Sequence, residues 1–220
     1  MNIVFDLDGT LVDSAPDIMV AANKMLQGEG LEPLDLATIT SFIGNGLPKL
    51  VERVLNTRGI GQSQFPRLYD EVRDFYNAAP ADESRPFPGV PALLDHLKAK
   101  GHKLGVCTNK PEEPARLMLN LLGLEDYFDS VVGGDALPEK KPHPAPLNLA
   151  FERLGDGDRL YVGDSEIDAE VALAAGVRFA LFTEGYRKKA VDGLPHDHRF
   201  DHFDKLGPII DGLAGETAAA

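Results

Sequence analysis

The sequence predicts an α/β fold: a parallel, Rossmann-like sheet core covered by helices, with a small helical cap domain inserted near its start. Two observations carry this prediction. Short β-rich apolar runs alternate with longer segments of helical period through most of the chain. One block, from about residue 15 to 84, breaks the alternation and shows helical period alone. Strand and helix in strict alternation imply right-handed crossovers and a sheet buried on both faces.

The elements follow in order. Ile3-Val4-Phe5 reads as the first strand. Ile18, Ala21, Ala22, Met25 and Leu26 form one helical stripe. Leu47, Leu50, Val51, Val54 and Leu55 form a second; Phe65, Leu68, Val72, Phe75 and Tyr76 form a third. With no strand between them these stripes predict a small bundle. Its borders carry linker chemistry, Ser14-Ala15-Pro16 on one side and Pro80 with Arg85-Pro86-Phe87-Pro88-Gly89 on the other. The expected division is a catalytic core of residues 1–14 and 85–220 and a cap of residues 15–84. Such a cap lies over the carboxyl end of the first strand, where open α/β sheets bind ligands.

Beyond the cap, Val90, Leu93, Leu94 and Leu97 are spaced as a helix before a strand at Lys103 to Cys107. Ser130-Val131-Val132 is the next strand. Leu147, Ala150, Phe151 and Leu154 form a helical stripe, followed by strands at Leu160 to Val162 and Phe179 to Phe182. The tail from Gly215 to Ala220 is expected to be disordered.

Charge excludes several function classes. The 220 residues include 35 acidic and 22 basic side chains, a formal net charge of −13. A nucleic-acid binder needs a surplus of Lys and Arg, as does a partner of anionic membranes, so neither is expected. Cys107 is the only cysteine, which rules out an intrachain disulfide and suggests a reducing compartment. The start, Met1 to Asp6, lacks the basic region of a signal peptide, and no apolar run approaches the roughly 18 residues of a membrane span. A cytoplasmic monomer or homodimer is the expectation.

The densest chemical signal is Asp6-Leu7-Asp8-Gly9-Thr10. Residues two apart share a face of an extended strand, so two carboxylates meet where a buried strand ends. That is unfavourable unless a cation or a proton intervenes. The arrangement suits a hard-metal site with one carboxylate as nucleophile, although a turn after a strand uses the same residues. Gly163-Asp164-Ser165-Glu166-Ile167-Asp168 repeats the pattern after another strand; Asp164 and Asp168 there serve equally as helix caps. Thr108-Asn109 ends a third strand with a hydroxyl and an amide suited to phosphoryl oxygens, or to capping the next helix. Lys140-Lys141-Pro142-His143-Pro144 places a cation before a helix whose start is marked by proline. Four such elements at successive strand or loop ends point to one site.

Asp6 to Thr10, Thr108, Lys141 and Gly163 to Asp168 resemble, in order, the four motifs of the haloacid dehalogenase superfamily. The resemblance spans nearly the whole chain, with the helical insertion where that superfamily places its cap. Within the superfamily the chain is most similar to the bacterial phosphoglycolate phosphatases, through Phe5 to Ser14, Ile43-Gly44-Asn45-Gly46, Thr108 to Pro111 and Lys140 to Pro144. The resemblance implies that Asp6 attacks phosphorus and becomes an aspartyl phosphate. It implies that Asp8 protonates the leaving alkoxide and then activates water. Mg²⁺ would be held by the Asp6 carboxylate, the Asp8 backbone carbonyl and Asp164, with Asp168 supporting it directly or through water. Thr108 and the backbone around Asn109 would hold phosphoryl oxygens. Lys141, the residue directly before Pro142, would neutralise nucleophile and phosphate.

Charge agrees with those roles: four carboxylates against Mg²⁺ and one lysine leave −1, which vanishes if Asp8 enters protonated, as a general acid must. The expected activity is hydrolysis of a small phosphorylated metabolite, 2-phosphoglycolate foremost. A sugar-phosphate phosphatase or a phosphomutase of the same architecture is the nearest alternative. A non-catalytic metal-binding module is more distant, and a dehalogenase is disfavoured by Asp8.

Other residues carry two readings. Gly44, Asn45 and Gly46, between cap helices, form either a substrate loop or a simple turn. Lys49 and Arg53 either meet a substrate carboxylate or stay solvated. His143 reads more readily as a polar residue beside a helix start than as a phosphate contact. Cys107 reads as a small buried apolar residue. His196, His198 and His202 resemble a metal-ligand run without regular spacing and read as a polar surface segment.

Overall fold

The computed structural model describes residues 1–218. Six parallel strands form one sheet in the order β5-β4-β1-β6-β7-β8. They are β1 (Asn2–Phe5), β4 (Lys103–Cys107), β5 (Ser130–Val132), β6 (Arg159–Gly163), β7 (Arg178–Phe182) and β8 (His198–Phe200). From β1 the chain builds first through β4 to β5 and then returns to the other side of β1 with β6. The switch point therefore lies beside the carboxyl end of β1, where a doubly wound sheet opens a crevice.

Alternation along each strand divides the apolar residues between two faces. Ile3, Phe5, Leu104 and Val106 pack with α5 (Val90–Ala99), α6 (Glu112–Leu121) and α9 (Phe203–Ala218). Val4, Cys107, Tyr161 and Phe179 pack with α7 (Ala145–Leu154) and α8 (Glu166–Ala175) on the other. The strands expected from apolar runs agree with the structure to within a residue at each end. β8 is a difference. Its sequence, His-Arg-Phe, has one buried apolar residue and no run to reveal it.

Four helices lie between β2 (Val12–Asp13) and β3 (Arg85–Pro86): α1 (Ala15–Gly28), α2 (Leu36–Thr40), α3 (Leu47–Arg58) and α4 (Phe65–Ala78). The stripe residues of α1 are all buried, and Leu50, Val51, Val54 and Leu55 of α3 with them. On α4 the expected stripe is wider than the real one. Leu68, Val72 and Tyr76 are buried, whereas Phe75 is exposed beneath the ammonium of Lys24, 5.9 Å from its ring centroid. α2 was not expected; it is short, and its start is fixed by Asp35, which accepts from the Thr38 N–H at 2.7 Å.

The chain enters and leaves this block through a short antiparallel ribbon: Val12 and Asp13 of β2, just before the expected Ser14–Pro16 linker, pair with Pro86 and Arg85 of β3, within the second expected linker. Asp17 at the head of α1 reinforces it by accepting from the backbone N–H groups of Glu83 and Ser84 at 3.0 and 2.8 Å. The expected disordered tail is also corrected: α9 carries regular helix to Ala218, because Phe203, Leu206, Ile210 and Leu213 give that segment a buried face to extend from. Residues 219 and 220, the rest of that tail, lie outside the described residues. No helix among the described residues is long and apolar enough to cross a membrane.

Candidate active site

The site is built on the ends of β1, β4 and β6. β1 stops at Phe5, and the chain then turns so that Asp6 and Asp8 diverge. Asp6 Oδ1 accepts the Leu7 N–H at 2.7 Å and faces Lys141 Nζ at 2.9 Å. Asp8 instead accepts from Ser14 Oγ at 2.6 Å and from Lys110 Nζ at 3.0 and 3.2 Å. Gly9, at φ +89°, lets the backbone turn against Asp164; a Cβ there would lie 2.7 and 2.9 Å from the two Asp164 carboxylate oxygens.

Asp164, at the end of β6, accepts from Thr10 Oγ1 at 2.7 Å and from the Tyr186 N–H at 2.6 Å. Asp168, one turn into α8, forms a capping box with Ser165. The capping alternative is therefore true of Asp168, yet the same carboxylate also accepts from Lys141 Nζ at 2.8 Å and Tyr161 hydroxyl at 2.7 Å. Lys141 has its three donors directed at Tyr161 (2.8 Å), Asp168 and Asp6. It is almost wholly buried and stands behind Asp6, lining neither of the two cavities described below.

Thr108 and Asn109 follow β4 directly and are buried. The Thr108 hydroxyl accepts the Lys110 N–H at 3.2 Å, and neither residue caps α6, whose first flanking residue is Pro111. Asn109 Nδ2 reaches the carbonyls of Lys141 (3.1 Å) and Gly44 (3.2 Å), tying the loop before α3 to the sheet. Asn45 accepts from Arg53 at 2.8 Å, and Arg53 also donates to the Phe42 carbonyl, so Arg53 braces this loop. Lys49 pairs with Glu52 on the exposed face of α3.

Two cavities of about 320 Å³ meet at Asp6 and Asp8. Thr108, Asn109, Gly44 and Gly46 line the first, with Lys110 and Tyr76. Asn45, Gly44 and Asp164 line the second. Of the residues singled out from sequence, His143 is exposed and lines neither cavity. Cys107 is buried, and burial pushes its thiol up to about 12, away from any nucleophilic role. His198 lies on β8 while His196 turns to the Leu194 carbonyl and His202 to Asp204, so the three form no ligand cluster.

Asp6, Asp164 and Asp168 offer oxygens within 4.8 Å of one another, all buried. Burial first, and the neighbouring carboxylates second, hold Asp164 well above the usual carboxyl range. Burial likewise raises Asp6, to about 7, against the pull of Lys141. Burial also opposes the charge on Asp168, but Lys141, Ser165 and Tyr161 outweigh it and hold that carboxyl below its ordinary value. Asp6 and Asp164 are thus the pair left short of positive charge. Four carboxylates (Asp6, Asp8, Asp164, Asp168) and two ammonium groups (Lys110, Lys141) leave −2, the charge one divalent cation balances. The expected count omitted Lys110: with it and one divalent cation the site balances with Asp8 ionised, and a protonated Asp8, which the expected acid role needs, would leave +1 for an incoming anion. An all-oxygen, doubly negative, buried donor set fits a hard divalent cation.

Sequence reasoning missed Lys110, Tyr76, Tyr161 and Tyr186. Tyr161 reads as a core strand residue, and its hydroxyl orients Lys141 and Asp168 only once β6 is placed. Tyr186 donates its N–H to Asp164 while its hydroxyl bonds Asp13 and accepts from Ser14 and Ala15, but nothing in its surroundings in the sequence marks it. Lys110 directly follows the Thr108-Asn109 pair, and that adjacency was the available signal.

The sequence profile of the family described as "Haloacid dehalogenase-like hydrolase" matches residues 3–182. A phosphoglycolate phosphatase of Cereibacter sphaeroides is 50% identical over 211 residues, covering 95% of this chain and 97% of the relative. One from Rhodobacter capsulatus is 42% identical over 212 residues, covering 96% of each. Among solved structures, a predicted phosphoglycolate phosphatase from Haemophilus somnus superposes with a TM-score of 0.89 at 32% identity, covering 95% of this chain and 97% of that one. With its buried carboxylate cluster at the switch point, the chain belongs to the haloacid dehalogenase-like hydrolase family and is a phosphatase.

Proposed function

We propose that the chain is a Mg²⁺-dependent phosphomonoesterase that works through an aspartyl phosphate and acts on 2-phosphoglycolate. The observation that carries this reading is the asymmetry of the two carboxylates after β1. Asp6 has Oδ1 engaged by the Leu7 N–H and Lys141, which leaves Oδ2 as the attacking oxygen. Asp8 sits off that line, at the junction of the two cavities, where a leaving oxygen would lie. Asp8 would give its proton to the leaving alkoxide and then take one from the water that hydrolyses the phosphoenzyme. Thr108 and Asn109 would hold the phosphoryl oxygens, and Lys141 would neutralise Asp6 from behind.

Asp6, Asp164 and the Asp8 carbonyl would hold Mg²⁺, with Asp168 as their support. When bound, the ion would neutralise charge on the phosphoryl oxygens. Asp168 serves that arrangement by fixing Lys141, since Lys141, Tyr161 and Ser165 occupy both of its oxygens. The helices α1–α4, residues 15–84, would act as a cap that excludes bulk water and presents Gly44, Asn45 and Gly46 to the organic part of the substrate.

The substrate assignment is supported by the relatives named above and by the size of the cavities, which suit a small ester. Phosphate release across a panel of small phosphomonoesters, with Mg²⁺ and with EDTA, tests it. The reading expects Mg²⁺-dependent turnover with 2-phosphoglycolate ahead of sugar phosphates. Release that survives EDTA, or a sugar phosphate ahead of phosphoglycolate, would overturn it.

A further inference from the structure

Lys110 is a lysine buried in the wall of an otherwise largely apolar cavity. A buried ammonium is costly unless it is paired, so its partners define its purpose. Nζ lies 3.0 and 3.2 Å from the two oxygens of Asp8 and 2.6 Å from the hydroxyl of Tyr76, whose ring centroid is 4.7 Å away. Although burial works against its charge, Asp8 and Tyr76 hold Lys110 above the ordinary lysine range. Ile18, Ile43, Leu47 and Leu50 line the apolar wall of the cavity it faces and offer nothing to a second anionic group.

We propose that Lys110 is a specificity-determining residue, binding a carboxylate on the leaving group of the substrate. This rests on the phosphomonoesterase reading above. With the phosphoryl group at Asp6 and the bridging oxygen at Asp8, the leaving group enters beside the one side chain that touches Asp8 with positive charge. In a glycolyl ester the carboxylate carbon is two bonds from that oxygen, so the carboxylate and Asp8 become neighbours on a single ammonium. An ammonium has three donors. All three reach Asp8 or Tyr76 without substrate, and a ligand carboxylate would take the donor now shared with the farther Asp8 oxygen, at 3.2 Å.

Other cations are worse placed. Lys141 stands behind Asp6 and lines neither cavity, Arg73 is half-exposed and paired with Asp70 and Asp74, and Lys140 is exposed. Tyr76 belongs to α4, so the carboxylate-binding group is fixed jointly by the sheet and by the helical segment above it.

The test compares 2-phosphoglycolate with ethyl phosphate, in which a methyl group replaces the carboxylate, on the wild-type chain and on Lys110→Met. The wild type is expected to prefer phosphoglycolate. Lys110→Met should lose about a hundredfold in kcat/KM on phosphoglycolate, mostly in KM, the scale of removing one partner from a buried charge pair. On ethyl phosphate the loss should stay below about tenfold, reflecting only the neighbour removed from Asp8. If Lys110→Met does not fold, Lys110→Gln, which keeps hydrogen bonding without charge, is read in the same way. A preference that survives in the variant, or equal losses on both esters, overturns this assignment alone. A wild-type chain with no preference for the carboxylated ester overturns it together with the substrate reading.

Discussion

Lys141 Nζ stands 2.9 Å from Asp6 Oδ1, a contact that joins the loop before α7 to the end of the central strand. The same ammonium reaches Asp168 at 2.8 Å, so one buried cation neutralises the carboxylate proposed as nucleophile and the one that caps α8. Removing it strands two buried charges. Lys141→Ala is expected to cost about 3–5 kcal/mol of stability in urea denaturation, the range for breaking a buried pair from one side. A loss below about 1 kcal/mol would mean that Lys141 does not hold the cluster together.

The carboxyl groups set a pH dependence with a definite sign. Asp6 and Asp164 are raised from a usual value of 3.8. Between that value and their folded values the folded chain binds more protons than the unfolded one, so stability falls as pH rises through the window. Asp168 is lowered and has the opposite sign, but it acts only below 3.8. Without metal, stability should therefore decline from about pH 4 toward pH 7. Saturating Mg²⁺ should raise Tm more at about pH 7.5 than at about pH 5, because ligands must be deprotonated to bind. Calorimetry with and without Mg²⁺ checks this, and equal shifts at both pH values would contradict it.

Much of this was legible in the sequence, and the physical reasons differ by element. Strands such as Lys103–Cys107 are buried on both faces from Leu104 onward and read there as apolar runs. β8 was invisible because an edge strand needs only Phe200 to face the core. The carboxylates could be found because their adjacency is unfavourable without a cation. Of the side chains that organise them, Tyr186 and Lys110 reach Asp164 and Asp8 from distant segments, and Tyr161, although beside Asp164 in sequence, reads as an ordinary core residue of its strand.

Gly9→Ala should couple backbone strain to metal binding. The positive φ and the crowding against Asp164 act together, and Asp164 is pinned by Thr10 and Tyr186. A stability loss of roughly 1–3 kcal/mol is expected. The Mg²⁺ concentration for half-maximal phosphate release should rise with it. An unchanged Mg²⁺ titration would remove this glycine from the site.

Asn45→Ala should change which substrates are preferred more than it changes chemistry. It removes the acceptor that Arg53 uses to brace the loop, while Asp6, Asp8 and Lys141 stay untouched. The ranking of phosphomonoesters is expected to shift, with the rate on p-nitrophenyl phosphate kept within about threefold. An unaltered ranking would take the loop out of substrate selection.

The claim at the centre of this account is that Asp6 carries the phosphoryl group. Asp8→Asn removes the residue proposed to activate water and should let the intermediate accumulate. Acid quenching of that variant after mixing with Mg²⁺ and p-nitrophenyl phosphate, whose leaving group departs without the proton of Asp8, followed by peptide mass spectrometry, is the most direct measurement. A mass increase of one phosphoryl group on Asp6, absent when Asp6→Asn is combined with it, is the predicted result. Full steady-state turnover by Asp6→Asn alone, or a phosphoryl group on any other residue, would contradict it.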